Sequence, residues 1–99
     1  MKDSSRIIWS DEAVNNLREI IGYLELKWTE KELKKFGQKL EKQIGIIKGQ
    51  PLAYPKSRKK SIRRAVMTKQ TTIYYQIVRD AIRIVSIFDN RKDPKNLRL

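Results

Sequence analysis

The apolar residues of this 99-residue chain change their spacing once, between Gly49 and Pro55, and that change limits what the chain can fold into. Before it, Ala13, Val14, Leu17, Ile20, Ile21, Leu24 and Trp28 form one stripe at three- and four-residue intervals, and Leu33, Phe36, Leu40, Ile44 and Ile47 form a second. After it come Ile62–Met67, Thr71–Val78 and Ala81–Phe88, three runs rich in Ile, Val, Thr and Tyr. Two amphipathic helices of this length need something to cover their stripes, and the strands that follow supply a sheet.

Local signals set the ends of these elements. Arg6-Ile7-Ile8-Trp9 reads as a short strand, and Ser10-Asp11-Glu12 supplies a hydroxyl N-cap followed by two acids where the helix dipole favours them. Thr29-Glu30-Lys31-Glu32 reads as a capping box that opens the second helix, which stops near Gly49 with Pro51 beyond it. Gly22, Gly37 and Gly45 fall inside the helices, each at a cost of about 1 kcal/mol relative to alanine unless close helix approach compensates. Pro51-Leu52-Ala53-Tyr54-Pro55 reads as an extended linker and Lys56 to Lys60 as an exposed loop. Thr68-Lys69-Gln70 and the tight turn Arg79-Asp80 are short enough to join the strands as an antiparallel meander.

The expected fold class is therefore α+β: an N-terminal strand, a helical hairpin, then a three-stranded antiparallel meander, in one sheet packed on the two helices. Ninety-nine residues suit a single domain, 1–99, with a polar tail from about residue 89.

Composition narrows the chemistry. The chain has no cysteine and no histidine, which excludes disulfides and Cys or His metal sites and removes the usual proton-transfer group at neutral pH. No apolar run approaches a membrane span and residues 1–8 lack a signal-peptide core, so the expected location is cytoplasmic, with no membrane partner. Charge is uneven: residues 1–55 carry 10 Lys/Arg and 8 Asp/Glu, whereas residues 56–99 carry 13 and 3. That asymmetry points to a nucleic acid or an acidic protein partner.

The charge peaks in Lys56-Ser57-Arg58-Lys59-Lys60-Ser61-Ile62-Arg63-Arg64, where six of nine residues are cationic. Strand alternation sends Arg63 and Arg64 to opposite faces. In the third strand Ile73, Tyr75 and Ile77 oppose Thr72, Tyr74, Gln76 and Val78; in the fourth, Ile82, Ile84, Ser86 and Phe88 oppose Ala81, Arg83, Val85 and Ile87. Arg83 is a cation in a nearly continuous apolar strand, and either lines an open sheet face or pairs with Asp80 or Asp89.

The element order resembles the RelE/ParE superfamily of bacterial toxins from type II toxin-antitoxin modules. The residues carrying the resemblance are Ile8-Trp9-Ser10-Asp11-Glu12-Ala13, Leu17 and Tyr23, Arg63, Tyr75-Gln76-Ile77, and Asn90-Arg91-Lys92-Asp93-Pro94. The resemblance implies a toxin held inactive by a cognate antitoxin and associated with growth inhibition and plasmid stabilisation. ParE-like members poison DNA gyrase, and RelE-like members cut mRNA on the ribosome.

Cleaving RNA through its own 2′-OH needs a base, a cation for the phosphate and an acid for the leaving oxygen. By resemblance, Lys59, Lys60, Arg63 and Arg91 would form a ribonuclease set, but Thr72 stands where RelE-like nucleases carry a third-strand arginine, and nothing aromatic follows Phe88. The expectation is accordingly a ParE-like toxin, with Lys56, Arg58, Lys59, Lys60, Arg63, Arg83, Asn90 and Arg91 as candidate target- or antitoxin-binding residues and no metal or cofactor. The alternatives are the ribosome-dependent ribonuclease and a non-enzymatic nucleic-acid-binding module. Only Tyr54 lies near the basic run to stack on a base.

Overall fold

The computed structural model describes residues 6–27, 29–59 and 61–99. Trp28, expected in the core, and Lys60, expected at the site, lie outside the described residues, as does the side chain of Leu24. In chain order the elements are β1 (Arg6–Trp9), α1 (Asp11–Lys27), α2 (Glu30–Gly49), β2 (Arg63–Val66), β3 (Thr71–Val78), β4 (Ala81–Asp89) and a 3-10 turn at Pro94–Asn96. The strands form one sheet in the order β1-β4-β3-β2. The meander is antiparallel, and β1 lies parallel to β4 with Ile7 opposite Ile82. Among the described residues no helix is long and apolar enough to cross a membrane.

Both helix starts use the expected caps. The Ser10 hydroxyl accepts from the Ala13 amide at 3.0 Å and donates to the Val85 carbonyl at 2.7 Å, so it starts α1 and ties it to β4. Thr29 accepts from the Glu32 amide at 3.4 Å; the reciprocal bond from Thr29 to the Glu32 carboxylate is not among those of the described residues. One turn into α1, the Asn16 side-chain oxygen accepts from both the Ser86 hydroxyl and the Ile87 amide, each at 3.0 Å. That bond satisfies a buried N–H which would otherwise cost about 1–3 kcal/mol.

The core lies between the helices and one sheet face, with Ala13, Leu40, Ile47, Ala65, Ile73, Tyr75, Ile82, Ile84 and Ile87 buried together. Ile87 departs from simple alternation, which assigns it to the face of Arg83 and Val85. The β3–β4 register shifts between Tyr74 and Tyr75, so that Tyr75 faces Ile84 while Tyr74 faces Ser86, leaving Val85 as an extra residue in β4. A bulge of this kind interrupts the period of two and brings Ile87 back to the core side opposite Ile73.

Two further expectations change. The Pro51–Pro55 segment turns rather than extends, because the Ala53 amide bonds to the Gln50 carbonyl at 3.1 Å and Tyr54 packs inward against the core. Close helix approach does not explain the helix glycines: a Cβ on Gly22, Gly37 or Gly45 would meet nothing within 4 Å.

Candidate functional site

The basic run is an irregular hairpin that prolongs the β2 edge. Lys56 pairs with Arg63 in an isolated antiparallel bridge, the Ser57 amide donates to the Ile62 carbonyl at 2.7 Å, and the Ile62 amide donates to the Lys59 carbonyl at 2.8 Å. Two of its cations reach the distant tail. Arg58 Nη2 donates to the Leu97 carbonyl at 2.7 Å, and Lys59 Nζ donates to a main-chain oxygen of Leu99 at 3.2 Å. Lys56 is exposed.

Arg63 and Arg64 part as alternation requires: Arg64 is exposed opposite Tyr74, and Arg63 is half-buried opposite Tyr75. Arg63 Nη1 donates to the Tyr54 carbonyl at 2.7 Å. Around it the Tyr54 hydroxyl accepts from Gln43 Nε2 at 2.8 Å, the Tyr54 and Tyr75 rings meet edge to face at 6.3 Å, and the Tyr75 hydroxyl donates to the Pro51 carbonyl at 2.5 Å. Burial pushes the Tyr75 phenol up to about 12; the Arg63 charge opposes that rise and Tyr54 adds to it. A phenol held neutral this firmly, with its proton committed to a backbone carbonyl, is poorly suited to proton transfer near neutral pH.

Arg83 lies on the other sheet face, between Ile8 and Gln76 in register. It lines an open hollow of about 460 Å³ together with Lys59, Arg98, Ile62, Val85 and the acidic start of α1 at Asp11 and Glu12. Among the described residues the one ion pair is Arg91 with Asp89, so of the two environments expected for Arg83 the open face is the one it occupies.

Asn90 and Arg91 follow β4. The Asn90 amide donates to the Gln70 carbonyl at 2.7 Å, its Oδ1 accepts from the Thr72 hydroxyl at 2.9 Å, and its Nδ2 donates to the Lys69 carbonyl at 3.3 Å. Asn90 thereby fastens the β2–β3 turn to the end of β4. Arg91 grips Asp89 through Nε to Oδ1 at 3.0 Å and Nη2 to Oδ2 at 2.8 Å. Hydrogen bonds from Arg91 hold the Asp89 carboxyl below its usual range, and the same pairing raises Arg91.

Arg91 stands at the rim of a cleft of about 1250 Å³ between the helices and the end of the sheet that carries the β2–β3 turn and the last residues of β4. Ile20, Phe36, Ile87 and Phe88 line it, with Lys35, Lys39 and Lys69 adding cations and Glu12, Glu19 and Glu32 adding acids. Sequence reasoning missed this cleft. Lys35 and Lys39 are four residues apart on one helix side, a spacing common on solvated surfaces, and nothing local shows that a strand turn comes to face them.

The candidate residues thus fall into separate places. Lys56 and Arg63 sit at the β2 edge, Lys59 and Arg83 line the hollow, Arg58 holds the tail, Asn90 fastens the β2–β3 turn, and Arg91 lies at the cleft. Of the described members of the ribonuclease set, Lys59 lines the hollow, Arg91 the cleft, and Arg63 neither.

A helical hairpin on one face of a β1-β4-β3-β2 sheet, with basic edges and loops, defines the class as a RelE/ParE-like toxin fold. Over residues 7–94 the chain matches the model of the ParE toxin of the type II toxin-antitoxin system, parDE, and it belongs to that family. No curated protein sequence matches it significantly. Among solved structures, it resembles a chain of the chromosomal ParDE toxin-antitoxin system from P. aeruginosa at 14% identity and a TM-score of 0.72, over 85% of this chain and 94% of the other. A chain of the E. coli DinJ-YafQ toxin-antitoxin complex matches at 12% identity and a TM-score of 0.58, over 86% and 91%. A conserved hypothetical protein from Helicobacter pylori matches at 10% identity and a TM-score of 0.58, over 88% and 96%.

Proposed function

We propose that this ParE-family toxin arrests growth in the cytoplasm by binding DNA gyrase, without cutting RNA, and that a cognate antitoxin neutralises it. The observation that carries this reading is the dispersal of the described ribonuclease candidates. In-line cleavage needs a base, a phosphate-binding cation and an acid within a few ångströms of one phosphodiester. Here Arg63 is bonded to the Tyr54 carbonyl, Arg91 is paired with Asp89, and Lys59 reaches Leu99. Thr72, where a nuclease of the superfamily carries arginine, is buried and bonded to Asn90.

A noncatalytic toxin needs only surfaces. Exposed Lys56, Arg64 and Arg91 can bind an acidic partner without being brought into one cluster. The test is expression of the chain alone in a bacterium, with supercoiling by purified gyrase and primer extension on cellular mRNA followed in parallel. Inhibited supercoiling with intact mRNA is expected, and Arg91→Ala should reduce growth arrest while leaving the far-UV spectrum unchanged. Codon-phased cuts in translated mRNA with unaffected gyrase would overturn the proposal in favour of the ribonuclease.

A further inference from the structure

We propose, in a step that rests on the gyrase reading, that Asp89 is a positioning residue: it holds Arg91 so that the outer edge of the guanidinium is presented to a carboxylate of gyrase. The Asp89 carboxylate takes three bonds from Arg91. The Arg91 amide and Nε donate to Oδ1 at 2.9 and 3.0 Å, and Nη2 donates to Oδ2 at 2.8 Å. This side-on grip uses Nε and one proton of Nη2. Nη1 and the remaining Nη2 proton make a second, end-on fork, and among the described residues Nη1 has no hydrogen bond.

The grip does little for the fold. The Arg91 side chain is 56% exposed and that of Asp89 23%, and an ion pair this open contributes little to stability. What it fixes is direction. The main chain at this point is already held, because the Asn90 amide and side chain bond to Gln70, Lys69 and Thr72. With the guanidinium gripped as well, the side-chain torsions of Arg91 are set before a partner arrives, so that freedom is not lost on binding. Of the exposed cations available to an acidic partner, Lys56, Arg64 and Arg91, only Arg91 has its side chain held by a hydrogen bond among the described residues. Its free fork matches the two oxygens of a carboxylate. Glu19, Glu32 and Asp89 line the same cleft as Lys35, Lys39 and Lys69, a mixture that repels a run of phosphates yet admits a single carboxylate.

The test is binding of the full chain to purified gyrase without DNA, by biolayer interferometry, beside the supercoiling assay. Asp89→Asn keeps an oxygen for the Arg91 amide and Nε and removes the second acceptor. Removing a negative charge would by itself favour an acidic partner, whereas loss of the grip should weaken binding about three- to tenfold, so the sign of the change separates the two effects. Arg91→Ala should weaken binding about tenfold or more, and adding Asp89→Asn to it should cost nothing further, because Asp89 acts through Arg91. Unchanged or tighter binding by Asp89→Asn, or losses that add in the double variant, would overturn the proposal. A chain that inhibits supercoiling but binds gyrase only with DNA present would also overturn it while leaving the gyrase reading intact; a chain without effect on gyrase overturns both. Should Asp89→Asn fail to fold, the parent chain decides: the Arg91 Nε–H should give a resolved, slowly exchanging NMR signal, and a rapidly averaged one removes the grip on which the proposal stands.

Discussion

Tyr75 joins several separate parts of the molecule. Its ring is fully buried in the core, its edge meets Tyr54, its hydroxyl holds the Pro51 carbonyl, and Arg63 lies across from it in the ladder. The Pro51–Pro55 turn is therefore anchored at both ends of one tyrosine pair, and Arg63 adds a bond to the same turn. This arrangement makes stability depend on alkaline pH. The phenol ionises near its usual value of 10 in the unfolded chain but near 12 in the folded one, so the folded state holds the extra proton between them. Stability is complete below about pH 10 and falls as pH rises toward 12, by about 2–3 kcal/mol for a shift of this size. Urea unfolding at stepped pH should show that loss, and Tyr75→Phe should flatten it relative to the parent. An unchanged slope in the variant would assign the alkaline loss to other groups.

At the scale of elements, the parts legible in the sequence are those that depend on neighbours in the chain. Ser10 and Thr29 cap the helices they precede, the three- and four-residue stripes bury Ala13, Leu40 and Ile47, and β3 has the expected bounds. The bulge at Val85 was not legible, because it exists only in the pairing of β4 with β3. The β3–β4 turn, expected at Arg79-Asp80, carries a local conflict. Arg79 alone among the described non-glycine residues has a positive φ, 56°, in a two-residue connection whose first position ordinarily takes glycine when only that position is left-handed. Arg79→Gly should therefore stabilise the protein by up to about 1 kcal/mol, the left-handed penalty less the added chain entropy. Gly45→Ala, in open space within α2, should add about 1 kcal/mol through helix propensity alone. Thermal midpoints a few degrees higher for each are the expected reading, and a lower midpoint for Arg79→Gly would mean that its side chain contributes more than its backbone costs.

Across the whole molecule, charge was visible from sequence while its allocation was not. A run of cations announces attraction to anions, but only the fold shows that Arg58, Arg63 and Asn90 are fastened to carbonyls of other segments, whereas Arg64 and Lys56 are exposed and among the described residues their side chains make no hydrogen bond. The same separation between local and distant information governs how the sheet assembles. The β3–β4 hairpin closes across a two-residue connection, but β1 pairs with β4 across about three quarters of the chain, Arg6 meeting Ala81, and carries the largest loop-closure entropy of the strand pairs. The hairpin should consequently be formed in the folding transition state and β1 should dock after it. Stopped-flow chevrons in urea test this order with one substitution in each strand. Ile73→Val, at a fully buried position of β3, should cost about 0.5–1.5 kcal/mol and take most of it from the folding rate. Ile7→Ala, at a half-buried position of β1, should cost about 1–2 kcal/mol and appear almost wholly as faster unfolding, roughly 5- to 30-fold. If Ile7→Ala instead slows folding by that factor, the parallel pair belongs to the nucleus, and the sheet closes before the hairpin is complete.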